Sequence, residues 1–132
     1  MTLLLDGNVL VALAFRGHVH HGPVHAWWRD RPQASFATCP ITQGTLLRLA
    51  MMQGSSLGDA SALLNGICAL PDHEFWPDEL AYSDVQMSGV IGHRQVTDAY
   101  LAQLARARGG QLATLDAALA ALHPDVVVAV PR

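Results

Sequence analysis

Three aspartates stand where carboxylates can be put to chemical use. Asp6 follows directly on the apolar run Leu3-Leu4-Leu5, and Asp116 follows in the same manner on Gln111-Leu112-Ala113-Thr114-Leu115. Asp98 comes one residue after Thr97, which opens the clearest amphipathic stretch of the chain. Each has an ordinary structural role open to it. An aspartate at a strand end caps the next helix, and one in a first helical turn favours the helix dipole. Together, among only 11 acidic residues, they point further. Ligands of open α/β sheets bind outside the carboxyl ends of the strands. Carboxylates gathered there repel one another unless a cation neutralises them. Oxygen-only ligands with room for water suit Mg²⁺ or Mn²⁺, so the pattern points to a divalent-metal site.

The elements that must position these residues are legible from periodicity. Leu3-Leu4-Leu5 predicts a strand buried on both faces, and Asn8 to about Phe15 a short helix stopped near Gly17. His20 to about Arg31 predicts a helix with Pro23 in its first turn, ended by Arg31-Pro32. Ser35 to Thr38 is a short strand candidate, and the spacing of Leu46, Leu47, Leu49, Ala50 and Met51 is helical. Leu57 to Leu70 gives a further helix, and His73 to Trp76 a strand candidate ended by Pro77. Tyr82 to about Val90 reads as weakly helical. Thr97 to Arg108 is a helix closed by Gly109-Gly110. Gln111 to Leu115, Ala117 to Leu122 and Val126 to Val130 then read as strand, helix and strand. The strands are continuous apolar runs alternating with helices. That predicts a single α/β domain over residues 1–132, with a central parallel sheet of about four to five strands covered by helices on both faces.

Composition narrows the partners. Of 132 residues, 51% are hydrophobic and only 14% charged, against roughly 25% in an ordinary globular chain. So little polar surface predicts that some apolar surface is covered by a partner or a second copy. The net charge of −3 lacks the basic bias of most nucleic-acid binders, although a loaded metal cluster presents positive potential. All eight basic residues are arginine. Cys39 and Cys68 lie far apart without a CxxC spacing, which fits thiols in a reducing cytoplasm. The N-terminal apolar run is broken by Asp6 and lacks a basic flank, so no signal peptide is expected, and no membrane span either.

Four short stretches in order make a family resemblance specific. They are Leu4-Leu5-Asp6-Gly7-Asn8-Val9-Leu10, Thr38-Cys39-Pro40-Ile41-Thr42-Gln43, His93-Arg94-Gln95-Val96-Thr97-Asp98-Ala99-Tyr100-Leu101 and Ala113-Thr114-Leu115-Asp116. Over nearly its whole length the chain resembles PIN-domain proteins of the VapC type, the ribonuclease toxins of bacterial toxin–antitoxin pairs. The resemblance implies a PIN-like fold and an endoribonuclease in which Mg²⁺ (or Mn²⁺) is held by Asp6, Asp98 and Asp116. It implies RNA as substrate, products with 5′-phosphate and 3′-hydroxyl ends, a small cognate antitoxin and a homodimer. Asn8 and Thr114, each two residues from an aspartate, would orient the carboxylates, or serve only as turn and cap residues. Arg48 and Arg94 are candidates for RNA phosphate contacts. The chain departs from the family at Gln43, where a glutamate is usual, so a second, firmly held metal is not expected. Asp84, or Asp78 and Glu79, could restore that charge but read more simply as solvated acids.

Two other groups invite functional readings. His21 and His25 share a helical spacing that can hold zinc, with His18 and His20 nearby, but no further ligand pattern supports a zinc site. Trp27, Trp28 and Trp76 could stack bases, although core or interface positions are the simpler expectation. Against the nuclease stands a PIN-like binding module that has lost its chemistry and only engages RNA or a protein, as the change at Gln43 would allow. A phosphotransfer enzyme on a similar sheet has less support, since the chain has no lysine.

Overall fold

Leu4 and Leu5 are fully buried, and they face opposite sides of one sheet. They lie on β1 (Leu3–Leu5). The other strands are β2 (Phe36–Thr38), β3 (His73–Phe75), β4 (Gln111–Thr114) and β5 (Val127–Ala129). The computed structural model describes residues 1–32 and 35–132. All its strand pairs are parallel, and the order is β3-β2-β1-β4-β5. The chain builds outward from β1 to one edge and then returns to build toward the other. The order therefore reverses between β1 and β4, where open α/β sheets form their ligand crevice. Leu5 pairs with Ala113 in register, so the next residues, Asp6 just beyond β1 and Thr114 at the end of β4, arrive side by side.

Helices cover both faces, as the continuous apolar strands predict. On one face α1 (Gly7–Ala14), α2 (His21–Asp30), α3 (Pro40–Met52) and α4 (Leu57–Cys68) surround Leu5, Val9, Leu10, Val24, Phe36, Leu46 and Ala113. On the other, α5 (Arg94–Ala107) and α6 (Ala117–Leu122) pack on Leu4, Tyr100, Leu101, Leu104, Leu112, Leu119 and Val127. Trp76 is buried to 2% exposure in this second cluster, so it is a core residue and offers no stacking surface. Among the described residues no helix is long and apolar enough to cross a membrane.

Two elements differ from the expectation. The stretch Tyr82 to Val90 forms only a single 3₁₀ turn, Tyr82–Asp84. Its later residues are held by outside partners instead, as where Gln103 Oε1 accepts from the Gln86 amide at 3.3 Å. The second difference is the start of α5, at Arg94 rather than Thr97. Gln95 Oε1 accepts the Ile91 amide at 2.7 Å and orders the preceding loop, so one more turn winds before Asp98. Asp98 thus lies beyond the first turn, and the dipole role expected of it does not apply.

Gly7 opens α1 where that helix crosses α3. A Cβ added there would sit 2.2 Å from Thr45 Cγ2 and 2.5 Å from Thr45 Cβ. A branched Cβ cannot swing away as a flexible side-chain end could. Gly7→Ala is therefore expected to cost about 2–3 kcal/mol of stability by forcing the helices apart. Urea denaturation checks this, and a cost under about 0.5 kcal/mol would mean that the α1–α3 contact is looser than described.

Candidate functional site

The site is built on the hydroxyl of Thr114, at the end of β4 and fully buried. It donates to Asp6 Oδ2 at 2.8 Å. It accepts from Asn8 Nδ2 at 3.3 Å and from the Asp116 amide at 3.1 Å. One donor and two lone pairs are thereby all used. Asn8 closes the network, its Oδ1 accepting from the Leu115 amide at 3.2 Å. Residues more than 100 positions apart are thus tied together at the switch between β1 and β4. Thr114 contacts the Asp6 carboxylate directly, Asn8 reaches it only through Thr114, and Asn8 is a residue of α1 rather than its cap.

The aspartates keep their capping roles as well. Asp6 is the N-cap of α1, with Oδ1 accepting from the Gly7 amide at 2.7 Å. Asp116 caps α6, its Oδ1 taking the Ala118 and Leu119 amides at 2.9 and 3.2 Å. Asp98 projects toward both from α5, on the other side of β1 and β4. Burial raises its carboxyl to about 6, and the charges of Asp6 and Asp116 push the same way. Asp6 is also raised, first by burial and further by Asp116, against the lowering effect of the Thr114 hydroxyl and Gly7 amide. Three half-buried or exposed carboxylates therefore feel one another, and none of them is in an ion pair among the described residues. The ion pairs of the described residues lie elsewhere, joining Arg29 to Asp30, Arg106 to Asp125 and Arg108 to Glu79.

An uncompensated, oxygen-only cluster is what a divalent ion neutralises, so the donor set fits Mg²⁺ or Mn²⁺. As they stand, no three His, Cys, Asp or Glu side chains among the described residues are close enough to hold an ion. The aspartates sense one another electrostatically, and ligation requires them to close in. For the exposed Asp116 that means giving up its cap on α6.

The remaining candidates are scattered. Gln43 follows from Pro40 at the first position of α3, where the Thr42 hydroxyl accepts the Cys39 amide at 3.0 Å. Its side chain is tied down. Its Nε2 donates to Thr38 Oγ1 at 3.0 Å and approaches Cys68 Sγ at 3.7 Å. Arg48 is exposed and donates to Thr45 Oγ1 at 3.2 Å, while Arg94 is exposed at the start of α5. Glu79 is engaged with Arg108 at 2.8 Å. His21 and His25 stack with centroids 5.4 Å apart, and His21 Nδ1 lies 2.7 Å from the Ala12 carbonyl oxygen. They join no third ligand among the described residues.

Gln43→Glu adds the charge that the cluster lacks relative to the family pattern, and gives up the donor to Thr38. The metal concentration for half-maximal RNA cleavage should fall about tenfold, equal to roughly 1.4 kcal/mol, with a small loss of stability. A metal titration of cleavage checks it. An unchanged requirement would put residue 43 outside the reach of the aspartates.

Comparison with known proteins gives a consistent set of matches. The PIN domain family model matches residues 3–123. Ribonuclease VapC29 of Mycobacterium tuberculosis is 53% identical over 131 residues, covering 99% of this chain and 98% of that protein. Ribonuclease VapC38 of the same species is 37% identical over 119 residues, covering 86% and 84%. Among solved structures, the sarcin–ricin-loop-cleaving toxin VapC20 of M. tuberculosis superposes with a TM-score of 0.74 at 17% identity, covering 98% and 99%. VapBC2 of Rickettsia felis, solved with a promoter DNA fragment, gives 0.65 at 14% identity, covering 99% and 100%. At those identities the two structures speak for the fold alone.

Proposed function

Since this chain belongs to the PIN-domain family, among its VapC ribonucleases, we propose that it is a metal-dependent endoribonuclease and the toxin of a toxin–antitoxin pair. The observation that carries the chemistry is that the carboxylates of Asp6, Asp98 and Asp116 lie within electrostatic reach of one another at the sheet's switch point, where burial first and then the charges of the other two raise Asp98 to about 6. Asp6 and Asp98 would hold Mg²⁺ or Mn²⁺, with Asp116 completing the set. When bound, the ion supplies a water of lowered pKa and a Lewis acid for the phosphate. The chain's own residues do the positioning. Thr114 fixes the Asp6 carboxylate through its hydroxyl and holds the start of the Asp116 turn through the Asp116 amide. Asn8 locks the turn after β4 to α1 through the Leu115 amide. Displacement of the 3′-oxygen by water leaves 5′-phosphate and 3′-hydroxyl ends.

The partners follow from the rest of the surface. An open apolar cleft of about 260 Å³ lies between α1, α2 and α4, lined by Leu10, Leu13, Trp28, Phe36, Leu63 and Ile67. Such a wall suits an apolar helix better than RNA, and we assign it to the small antitoxin. Ile91 at 92% and Val19 at 82% exposure add apolar surface that a homodimer would cover. The unpaired thiols Cys39 and Cys68 fit a reducing cytoplasm.

The test is cleavage of a structured RNA in Mg²⁺ or Mn²⁺, with and without EDTA. Cleavage that EDTA abolishes supports the nuclease. Binding of the same RNA without cleavage at any metal concentration would favour the binding module, the reading left open by Gln43.

A further inference from the structure

Beside Asn8 and Asp116 the surface opens into a pocket of about 470 Å³ whose other walls include His18, His20 and Arg132. Pockets of this volume take ligands the size of a nucleotide. Its lining is mixed. Leu115 and Ala117 give it an apolar part, while His18, His20 and Arg132 contribute two imidazoles and a guanidinium to the lining.

The histidines are arranged for contact with a planar group. They come from the connection between α1 and α2, with ring centroids 5.7 Å apart and planes inclined by 50°. His18 Nδ1 accepts the His20 amide at 3.1 Å, which places the ring proton on Nε2 and leaves an N–H donor on the other edge. Burial and the neighbouring His20 and His21 keep this ring in its neutral form more than usual. A neutral imidazole stacks on a base and donates to it without needing a counter-charge. Arg132 is exposed and makes no ion pair among the described residues, so its guanidinium remains available for a phosphate.

We propose that this pocket holds the nucleotide next to the scissile phosphodiester, its base against His18 and His20 and its phosphate at Arg132. Unpaired RNA bases are commonly held in this way, by stacking on aromatic or histidine rings and arginine planes. The inference rests on the ribonuclease reading for the position of the scissile bond, and adds to it the groups that grip the strand. His18, His20 and Arg132 are thus positioning residues. They touch the substrate's flank and leave the bond-breaking step to the aspartates.

The test separates grip from chemistry. Binding of a fluorescein-labelled single-stranded RNA decamer is followed by anisotropy in Mg²⁺ and again in EDTA, with strand integrity checked on gels. His18→Ala with His20→Ala should weaken Kd at least tenfold in both conditions, and Arg132→Ala about threefold. His20→Phe, which keeps a flat ring, should stay within about threefold of the wild type. In steady-state cleavage the double variant should raise KM about tenfold while kcat stays within about twofold. Binding by the double variant within twofold of the wild type overturns the proposal. If circular dichroism shows that the double variant fails to fold, Arg132→Ala decides by the same comparison. Wild-type protein that binds through these residues but cuts nothing sinks the nuclease and leaves the pocket standing. Wild-type protein that cuts while the variants bind equally well does the reverse.

Discussion

Asp98→Asn should abolish RNA cleavage and at the same time make the metal-free protein more stable. The carboxylate is lost where an amide of the same shape replaces it, so a fall of roughly 10³-fold in kcat, about 4 kcal/mol of barrier, is expected. The stability effect comes first from the burial of this carboxylate and then from its repulsion by Asp6 and Asp116. Its folded pKa of about 6 lies above the ordinary 3.8, so ionisation works against the fold. Stability from its protonated form is complete below about 3.8 and lost as the pH rises through about 6. At pH 7.5 the asparagine variant should therefore gain on the order of 1 kcal/mol in EDTA, a figure reduced for a half-exposed group. That corresponds to about 4 °C in Tm. Below pH 4 the two proteins should converge. Thermal unfolding across pH, beside a cleavage assay, reads both effects. Undiminished cleavage would reject the metal role of Asp98, and a variant less stable than wild type at pH 7.5 would reject the cost of holding its charge there.

Thr114→Val should come next in effect. Valine fills the same space but leaves Asp6 Oδ2, the Asn8 amide group and the Asp116 amide without their shared partner. Buried polar groups left unmade cost about 1–3 kcal/mol in total stability. Loss of a partner that orients a metal-holding carboxylate costs about 10–100-fold in activity. Thr114→Ser keeps the hydroxyl and should retain cleavage within about threefold. If the valine variant cleaves as well as the serine variant, the hydroxyl does not orient the site.

The two strand-end aspartates were legible in the sequence for a simple reason. Leu3-Leu4-Leu5 and Gln111 to Leu115 are apolar runs with no competing period, and in a parallel sheet their ends share an edge. Asp98 was legible as a partner but misplaced along its helix. The start of α5 is set by the Gln95 side chain gripping the Ile91 amide, a local bond that periodicity does not carry. Asn8 and Thr114 left two readings open because their bond crosses 106 positions, and only the adjacency of β1 and β4 brings them together. The Tyr82 to Val90 stretch failed as a helix because its apolar residues are few and its support comes from α5 rather than from itself. At Gln43 the spacing gave the right helix but not the side chain's attachment to Thr38. The histidines carried no supported zinc pattern in the sequence, while the pocket beside Asp116 is lined by His18 and His20 with Arg132, a residue over 110 positions away.

The claim that Asp6, Asp98 and Asp116 form one metal-holding set is tested most directly by Mn²⁺ binding, followed by electron paramagnetic resonance. Wild-type protein should bind Mn²⁺, and Asp6→Asn, Asp98→Asn and Asp116→Asn should each weaken that binding at least tenfold while remaining folded. Binding that is absent from the wild type, or that survives all three substitutions unchanged, would contradict it.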